Sequence, residues 1–321
     1  MASLGPAAAL RGGLVLLGLT AAAGYAGIAA PPASPPTHAN AAADPDPSAK
    51  ALEENGSSPV DSYAVTLPPD AVYAAGTIYY PRGAKGPFGG VAVCPGYSES
   101  QADVDWWGPR LASHGFVVLT LDVKSKRGDL PPARADELMA ALETLRSESA
   151  HQGGPIFGRV DGKRLAIMGH SMGGGATLIA ANAHSAALKA AIPFAPWSNA
   201  PKAFPSVTVP TLIIAGQEDR IAAPAGHAQQ FYASIPDSTP KAYLEFKGAQ
   251  HGVANGSADG TVTRLSKIEG APTDEQRRIV SRYVLAWLKL YVDGDERYRP
   301  LFHGDSGGAD APLFSSFESS R

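Results

Sequence analysis

Short apolar runs alternate with helix-type patterns along most of the chain. Runs such as FVVLTL at 116–121 and TLIIA at 211–215 are apolar throughout, which is typical of parallel strands covered on both faces. The pattern predicts strands over Tyr63–Leu67, Ala74–Tyr80, Gly89–Cys94, Phe116–Leu121, Arg164–Met168, Ala190–Phe194, Thr211–Ala215 and Ala242–Phe246. It predicts helices over Val104–His114, Arg134–Ser147, Gly174–His184, Pro224–Ser234 and Asp274–Val292. Strands that alternate with helices predict an α/β protein built on a mostly parallel central sheet flanked by helices.

The N-terminal region differs from the rest of the chain. Residues 13–30 are uncharged and apolar, with Arg11 before them and Ala-X-Ala patterns near Ala30 and Ala43. This arrangement predicts a secretory leader, and a retained membrane anchor is the alternative. We expect residues 1–43 to be the leader and the start of a linker, 44–61 a flexible lead-in, and 62–321 a single catalytic domain. The protein would then be extracellular or periplasmic.

Composition narrows the functional classes. The 321 residues include 27 basic and 30 acidic side chains without a block of like charge, which argues against a nucleic-acid partner. Cys94 is the single cysteine, so the chain forms neither an intramolecular disulfide nor a zinc cluster, and its apolar neighbours predict a buried structural thiol. We expect no cofactor, no metal, no stable protein partner and a monomeric state.

The candidate nucleophile lies in a G-x-S-x-G motif, Gly169-His170-Ser171-Met172-Gly173. A predicted strand precedes the motif and a predicted helix of small residues follows it, which is the context of a nucleophilic serine on a tight strand-to-helix turn. The N-terminus of that helix would place a positive dipole and free N–H groups near a developing oxyanion.

A base and an acid should follow the serine in the chain. His251 lies in a loop directly after a predicted strand, whereas the other downstream histidines lie in predicted helices or in the polar tail (His184, His227 and His303). The loop after the preceding strand offers Asp219, which we favour because its short side chain would hold an imidazole rigidly. Glu218 is the alternative acid.

Two backbone N–H groups would form the oxyanion hole. One belongs to Met172, the residue after the nucleophile, and the other to the loop Pro95-Gly96-Tyr97-Ser98, where we choose the Tyr97 amide. The sequence pattern alone is equally compatible with a Tyr97 that only lines a turn.

Several runs of the chain resemble the bacterial cutinase-like and PET-hydrolase-like polyester hydrolases. They are PGYSESQADVDWWGPRLASHGFVVLTLD at 95–122, GHSMGGG at 169–175, PFAPW at 193–197, VTVPTLIIAGQEDRIA at 207–222 and the segment around His251. The resemblance implies an α/β-hydrolase fold and a secreted serine ester hydrolase that cleaves polyesters and short soluble esters.

The resemblance also implies residue roles. Ser171, Asp219 and His251 would be the catalytic triad, and Tyr97 and Met172 the oxyanion donors. Tyr97 and Trp197 would flank the bound ester, with Ile221 in the floor and His170 among the substrate-binding positions. For Trp197, a place in the core beyond a strand is the alternative.

Three features depart from the family pattern or bear on substrate size. His170 stands where the best-known PET-degrading enzyme has Trp, the chain lacks the disulfides of its relatives, and the segment Asn255–Gln276 is longer than theirs. No interval is long enough for a large lid domain, which favours an uncovered site for bulky esters. The alternatives are a small-molecule esterase or lipase, or a lipid-mediator acetylhydrolase, on the same fold and without polymer activity.

Overall fold

A central β-sheet organises the protein in the computed structural model, which describes residues 49–257, 264–302 and 308–320. Nine strands belong to this part of the chain: β1 (Val60–Ala64), β2 (Ala75–Pro81), β3 (Phe88–Cys94), β4 (Phe116–Asp122), β5 (Val160–His170), β6 (Ala190–Phe194), β7 (Thr211–Gly216), β8 (Lys241–Phe246) and β9 (Phe314–Ser319). The helices are α1 (Trp107–Ser113), α2 (Pro131–Ala150), α3 (Met172–His184), α4 (Ala228–Ser234), α5 (Arg264–Glu269) and α6 (Asp274–Tyr291).

The sheet is mostly parallel, in the order β1-β2-β4-β3-β5-β6-β7-β8-β9. The central strands from β4 to β8 pair parallel to one another. Pairing is antiparallel only towards the edges, where β1 joins β2, β2 joins β4, and β9 joins β8. The predicted α/β architecture is therefore confirmed.

Helices cover both faces of the sheet. Apolar residues of α1 and α6 share one core cluster with Val91 and Val93 of β3, whereas residues of α2, α3 and α4 share the other with Ala92 and Cys94. Successive residues of a strand point to opposite faces, so continuous apolar strands bury both sides. Cys94 is a buried free thiol, as predicted, and burial raises its pKa to about 12.

Several element bounds differ from the sequence prediction by three or four residues, and two elements were not predicted. β1 begins at Val60 rather than Tyr63, because its antiparallel register pairs Val60 with Pro81 and Ala64 with Thr77. β9 was not predicted, since its sequence FSSFES offers a weak apolar pattern and is an edge strand that depends on β8. The short helix α5 was also missed and lies in the segment that the sequence marks as unusually long.

Several sequence predictions concern residues outside the described ranges. These include the leader and the start of the linker at 1–43, the first part of the lead-in at 44–48, and His303. The domain boundaries therefore stay a prediction. Among the helices in the described ranges, none has both the length and the apolar character needed to cross a bilayer.

Candidate active site

Ser171 occupies the single-residue turn between β5 and α3. Its backbone has φ 53° and ψ −113°, a left-handed conformation that costs a non-glycine residue on the order of 1–3 kcal/mol. The turn is held on both sides: the Ser171 N–H donates to the Phe194 carbonyl oxygen over 3.0 Å, and the Ser171 carbonyl oxygen accepts from Trp197 N–H over 2.8 Å. The surrounding structure thus fixes a strained turn that presents the serine at the carboxyl end of β5.

Small residues around the serine allow neighbouring backbones to approach closely. A Cβ at Gly169 would lie 2.3 Å from the Gly173 carbonyl oxygen, and one at Gly173 would lie 2.4 Å from the carbonyl oxygen of Cys94. Both distances are far below van der Waals contact, so side chains at either position would force these segments apart. The turn therefore requires the glycines of the G-x-S-x-G motif.

His251 and Asp219 form a buried hydrogen-bonded pair. His251 Nδ1 lies 2.7 Å from Asp219 Oδ2, and the other carboxylate oxygen accepts from the backbone N–H groups of Ile221 and Ala222, each over 2.8 Å. Glu218, the alternative acid, is exposed, and its backbone N–H donates to the Ala249 carbonyl oxygen. The structure thus pairs the histidine with Asp219.

The protonation of this pair follows from its surroundings. Burial alone would raise the pKa of Asp219, but the hydrogen bonds from His251 and from the two backbone N–H groups lower it, so the carboxylate is ionised. An ionised carboxylate only accepts, so Nδ1 of His251 carries the proton. Burial lowers the pKa of His251, which keeps the ring neutral and leaves Nε2 as a proton acceptor.

The loop that carries Tyr97 lies against the serine. A Cβ at Gly96 would lie 2.9 Å from the Ser171 Cβ, and Met172 is the first residue of α3. In the described part of the chain, neither the Tyr97 N–H nor the Met172 N–H donates to another protein group. Both amides belong to segments next to Ser171, and their role as oxyanion donors stays a prediction.

Arg134 anchors the Tyr97 loop, a role that the sequence analysis missed. Its guanidinium is fully buried and donates to four carbonyl oxygens: Pro95, Gly96, Lys126 and Asp129, over 2.8–3.1 Å. The sequence places Arg134 at the start of a predicted helix, with no signal that its side chain turns inwards.

Replacing Arg134 by Lys is expected to lower the free energy of unfolding by about 3 kcal/mol, because an ammonium group reaches fewer of these carbonyls and leaves the others buried without a donor. Urea denaturation measures the change. The matched control is Arg127→Lys at an exposed arginine, expected to stay within about 0.5 kcal/mol of wild type. Equal stability of the two variants would contradict the anchoring role.

The predicted substrate contacts differ in exposure. Tyr97 is 47% exposed and Ile221 is 50% exposed, so large apolar side chains face solvent next to Ser171 and Asp219 respectively. Trp197 is partly exposed, and its ring stacks on His227 with 6.3 Å between ring centroids. Exposed apolar surface is the kind that binds apolar ligands, and contact of these three residues with a bound ester stays a prediction.

His170, a predicted substrate-binding residue, lies in the protein interior. Its side chain is buried, Nδ1 lies 2.7 Å from Glu99 Oε1, and Nε2 lies 2.9 Å from the His251 carbonyl oxygen. Both ring nitrogens contact protein groups, and a role of His170 in substrate binding stays a prediction. The hydrogen bond to the buried carboxylate of Glu99 holds the His170 ring in the interior.

Glu99 belongs to a further buried cluster. Asn255 Nδ2 donates to Glu99 Oε1 over 2.8 Å and to Glu269 Oε2 over 3.0 Å, and the Gly96 N–H donates to Glu99 Oε2. The ligand-type atoms of Glu99, His170 and Glu269 all lie within 4.8 Å of one another. Hydrogen bonds within the protein account for this arrangement, so we assign no metal to it.

Comparison with known proteins extends this description. The model of the PET hydrolase-like family matches residues 37–313. A cutinase of Thermobifida fusca (strain YX) is 41% identical over 285 residues, which are 88% of this chain and 86% of the relative. The bis(hydroxyethyl) terephthalate hydrolase of Streptomyces coelicolor is 41% identical over 74% of this chain and 67% of its own. Cutinase 1 of Thermobifida cellulosilytica is 44% identical over 70% and 76%, respectively.

Proposed function

The chain belongs to the PET hydrolase-like family and is a carboxylic ester hydrolase, and from this premise we propose that it cleaves polyesters and short soluble esters through a Ser171–His251–Asp219 triad. The observation that carries the proposal is the buried His251–Asp219 hydrogen bond of 2.7 Å at the same edge of the sheet as the strained Ser171 turn. A histidine held in one tautomer, at the sheet edge that also carries the turn serine, is the arrangement that activates a serine hydroxyl.

In the acylation step, His251 Nε2 accepts the proton of the Ser171 hydroxyl as Oγ bonds to the ester carbonyl carbon. The carbonyl oxygen becomes an oxyanion, which accepts hydrogen bonds from the Tyr97 and Met172 amides. Each such donor is typically worth about 3 kcal/mol in the transition state. The imidazolium of His251 then gives its proton to the departing alkoxide, and an acyl-enzyme remains on Ser171.

In the deacylation step, His251 takes a proton from a water molecule, which attacks the acyl-enzyme carbonyl. The same two amides bind the second oxyanion, and the proton returns to Ser171 Oγ as the carboxylic acid leaves. Asp219 remains ionised throughout, and its two backbone hydrogen bonds keep the imidazole oriented. The cycle uses protein groups and water alone.

Polyester as a substrate is supported by the relatives and by the exposed apolar side chains around Ser171. Tyr97, Trp197 and Ile221 offer aromatic and aliphatic surface that a long ester chain could cover. One observation favours the alternative of a small-molecule esterase: the Gly252 N–H donates to the Glu269 carbonyl oxygen over 2.9 Å, so the segment with α5 lies directly beside His251. The leader predicted within residues 1–43 would place the enzyme outside the cytoplasm. We expect the enzyme to act as a monomer.

Assays of the purified protein on a soluble ester and on a polyester film distinguish a polyester hydrolase from a small-molecule esterase. We expect release of p-nitrophenol from p-nitrophenyl butyrate and release of soluble acids from an amorphous poly(ethylene terephthalate) film. Hydrolysis of the soluble ester alone would establish the small-molecule alternative. Hydrolysis of neither would contradict ester hydrolysis itself.

Replacing Tyr97 by Ala tests the substrate surface without removing the Tyr97 amide. We expect about a tenfold slower attack on the film, since an aromatic contact contributes about 1 kcal/mol or more and 1.4 kcal/mol is tenfold. The rate on p-nitrophenyl acetate should stay within about twofold, because that ester is too small to cover the ring. The control is Phe157→Ala, an aromatic residue 50% exposed before the amino end of β5. Equal film rates for both variants would contradict the assignment.

A further inference from the structure

We propose that Glu99, His170, Asn255 and Glu269 form a buried positioning network that holds the His251 loop in place for catalysis. This inference rests on the proposed function, because it takes His251 as the catalytic base. It also gives the unusually long segment with α5 a role in the reaction, since Glu269 is the last residue of that helix.

The network reaches the His251 backbone from two sides. The His170 ring contacts the His251 carbonyl oxygen through Nε2, and the next N–H in the chain, that of Gly252, donates to the Glu269 carbonyl oxygen. Beyond these residues, the Ala254 carbonyl oxygen accepts from the indole N–H groups of both Trp106 and Trp107, over 2.9 and 3.1 Å. The segment that follows His251 is therefore tied to β5, to α5 and to the start of α1.

Donor and acceptor chemistry fixes the charges in this network. A carbonyl oxygen only accepts, so His170 Nε2 must donate to His251. Glu99 receives hydrogen bonds from Asn255 and from the Gly96 N–H, which is the pattern of a carboxylate, so His170 Nδ1 must also donate. His170 with two N–H donors is an imidazolium, paired with an ionised Glu99.

Glu269 must then carry a proton. The carboxyl groups of Glu99 and Glu269 accept from the same Asn255 Nδ2 group, and their ligand-type atoms lie within 4.8 Å of each other, so two buried anions would face the single cation of His170. Since Glu99 already accepts from three other groups, the proton belongs to Glu269. The network is thus one anion, one cation and one neutral acid, which avoids an unpaired buried charge.

The pKa shifts agree with this assignment. Burial on its own opposes both charges of the pair, but the attraction and hydrogen bond between His170 and Glu99 lower the pKa of Glu99 and raise the pKa of His170 to about 9. Burial raises the pKa of Glu269 most, to about 8; the positive charge of His170 lowers this pKa, whereas the negative charges of Glu99 and Asp103 raise it.

The charge on His170 also acts on the catalytic base. The rings of His170 and His251 lie 4.7 Å apart between centroids. Burial contributes most to the lowered pKa of His251; of the charged groups that face the ring, His170 lowers this pKa, whereas Asp219 and, more weakly, Glu99 raise it. Loss of the Glu99–His170 ion pair should therefore raise the pKa of His251 and displace the loop that carries it.

Glu99→Gln is the test variant, because Gln keeps the shape and an acceptor oxygen but removes the charge. We expect kcat on p-nitrophenyl butyrate to fall by about 10- to 100-fold with KM within about twofold, the signature of a misplaced catalytic group rather than of lost substrate binding. The acid limb of kcat/KM against pH should move to higher pH. Glu137→Gln is the matched control, a buried glutamate that accepts a hydrogen bond from the Lys124 N–H away from the site.

Glu269→Gln adds a second expectation. Gln resembles a protonated carboxyl group and can donate to Glu99, so the loss of kcat at pH 7 should be about fivefold smaller than in Glu99→Gln. Wild-type kinetics for Glu99→Gln would overturn the proposal, and so would an equal loss of kcat in both variants. Ser171→Ala, measured in parallel, distinguishes failure of the proposed function from failure of the positioning proposal. If Ser171→Ala stays active, the proposed function is wrong. If Ser171→Ala is inactive and either of the two contradicting results is found, the positioning proposal alone is wrong.

Thermal unfolding keeps the proposal testable if Glu99→Gln does not fold. A carboxyl group whose pKa is raised in the folded state stabilises the fold below its unfolded pKa, and this stabilisation is lost as pH rises through the folded pKa. Between pH 5 and pH 9 the Tm of wild type should therefore fall by more than that of Glu269→Gln, which has no proton to lose. Parallel Tm curves would overturn the assignment of the proton to Glu269.

Discussion

Replacing Ser171 by Ala is expected to lower kcat for ester hydrolysis by about 10⁴- to 10⁶-fold. The hydroxyl is the group that attacks the ester, and without it no acyl-enzyme forms. The oxyanion donors and the binding surface remain, so a small residual rate over that in water is expected. The measurement is the steady-state rate on p-nitrophenyl butyrate, with wild type and variant compared at equal concentration.

A matched serine controls for the loss of a hydroxyl near the site. Ser198 is fully buried, and its Oγ has no hydrogen-bond partner in the part of the chain that the structure covers. Ser198→Ala should therefore retain kcat within about twofold, because it removes no interaction. Retained activity in Ser171→Ala, or an equal loss in both variants, would contradict Ser171 as the nucleophile.

Replacing Asp219 by Asn should lower kcat by about 10⁴-fold without unfolding the protein. An amide at this position can still contact His251 Nδ1, but its NH₂ group favours the tautomer in which Nδ1 is the acceptor and Nε2 carries the proton. That tautomer cannot take the proton of Ser171. The kcat on the soluble ester and a denaturation curve, measured on the same preparation, separate the loss of catalysis from a loss of fold.

Glu218→Gln is the control that decides between the two acids the sequence leaves open. Its side chain is exposed, so activity within about twofold of wild type is expected. The opposite pattern, with Glu218→Gln inactive and Asp219→Asn active, would transfer the orienting role to Glu218.

Much of the fold could be predicted because its strands are covered on both faces. Segments such as Phe116–Asp122 and Thr211–Gly216 are apolar at nearly every position, and their strand character is visible without tertiary information. The edge strand Phe314–Ser319 depends on its pairing with β8, and its own sequence alternates weakly, so local patterns did not reveal it.

The candidate triad was predictable for a related reason. Ser171, Asp219 and His251 each follow a recognisable strand, and the carboxyl ends of parallel strands meet at one edge of the sheet. The supporting residues gave no comparable signal. Glu99, Asn255 and Glu269 come from three separate loops or segment ends, and their hydrogen bonds depend on side-chain directions that spacing along the chain does not encode.

His170 shows what a family resemblance leaves open. The resemblance implied a substrate contact but gave no sign that the His170 ring is hydrogen-bonded to the buried carboxylate of Glu99. The motif does not contain that carboxylate, so the direction of the ring could not be inferred from it. The same holds for Arg134, whose buried guanidinium is explained only by the carbonyl oxygens that surround it.

Covalent trapping of the nucleophile tests the central claim most directly. Diethyl p-nitrophenyl phosphate reacts with an activated serine: Oγ bonds to phosphorus, p-nitrophenolate leaves, and the diethylphosphoryl group stays on the enzyme. Mass spectrometry of the digested protein should show one such group on Ser171, with ester hydrolysis lost in proportion to labelling. Hydrolysis that continues in fully labelled protein, or a label on another residue that accompanies the loss of activity, would contradict the account.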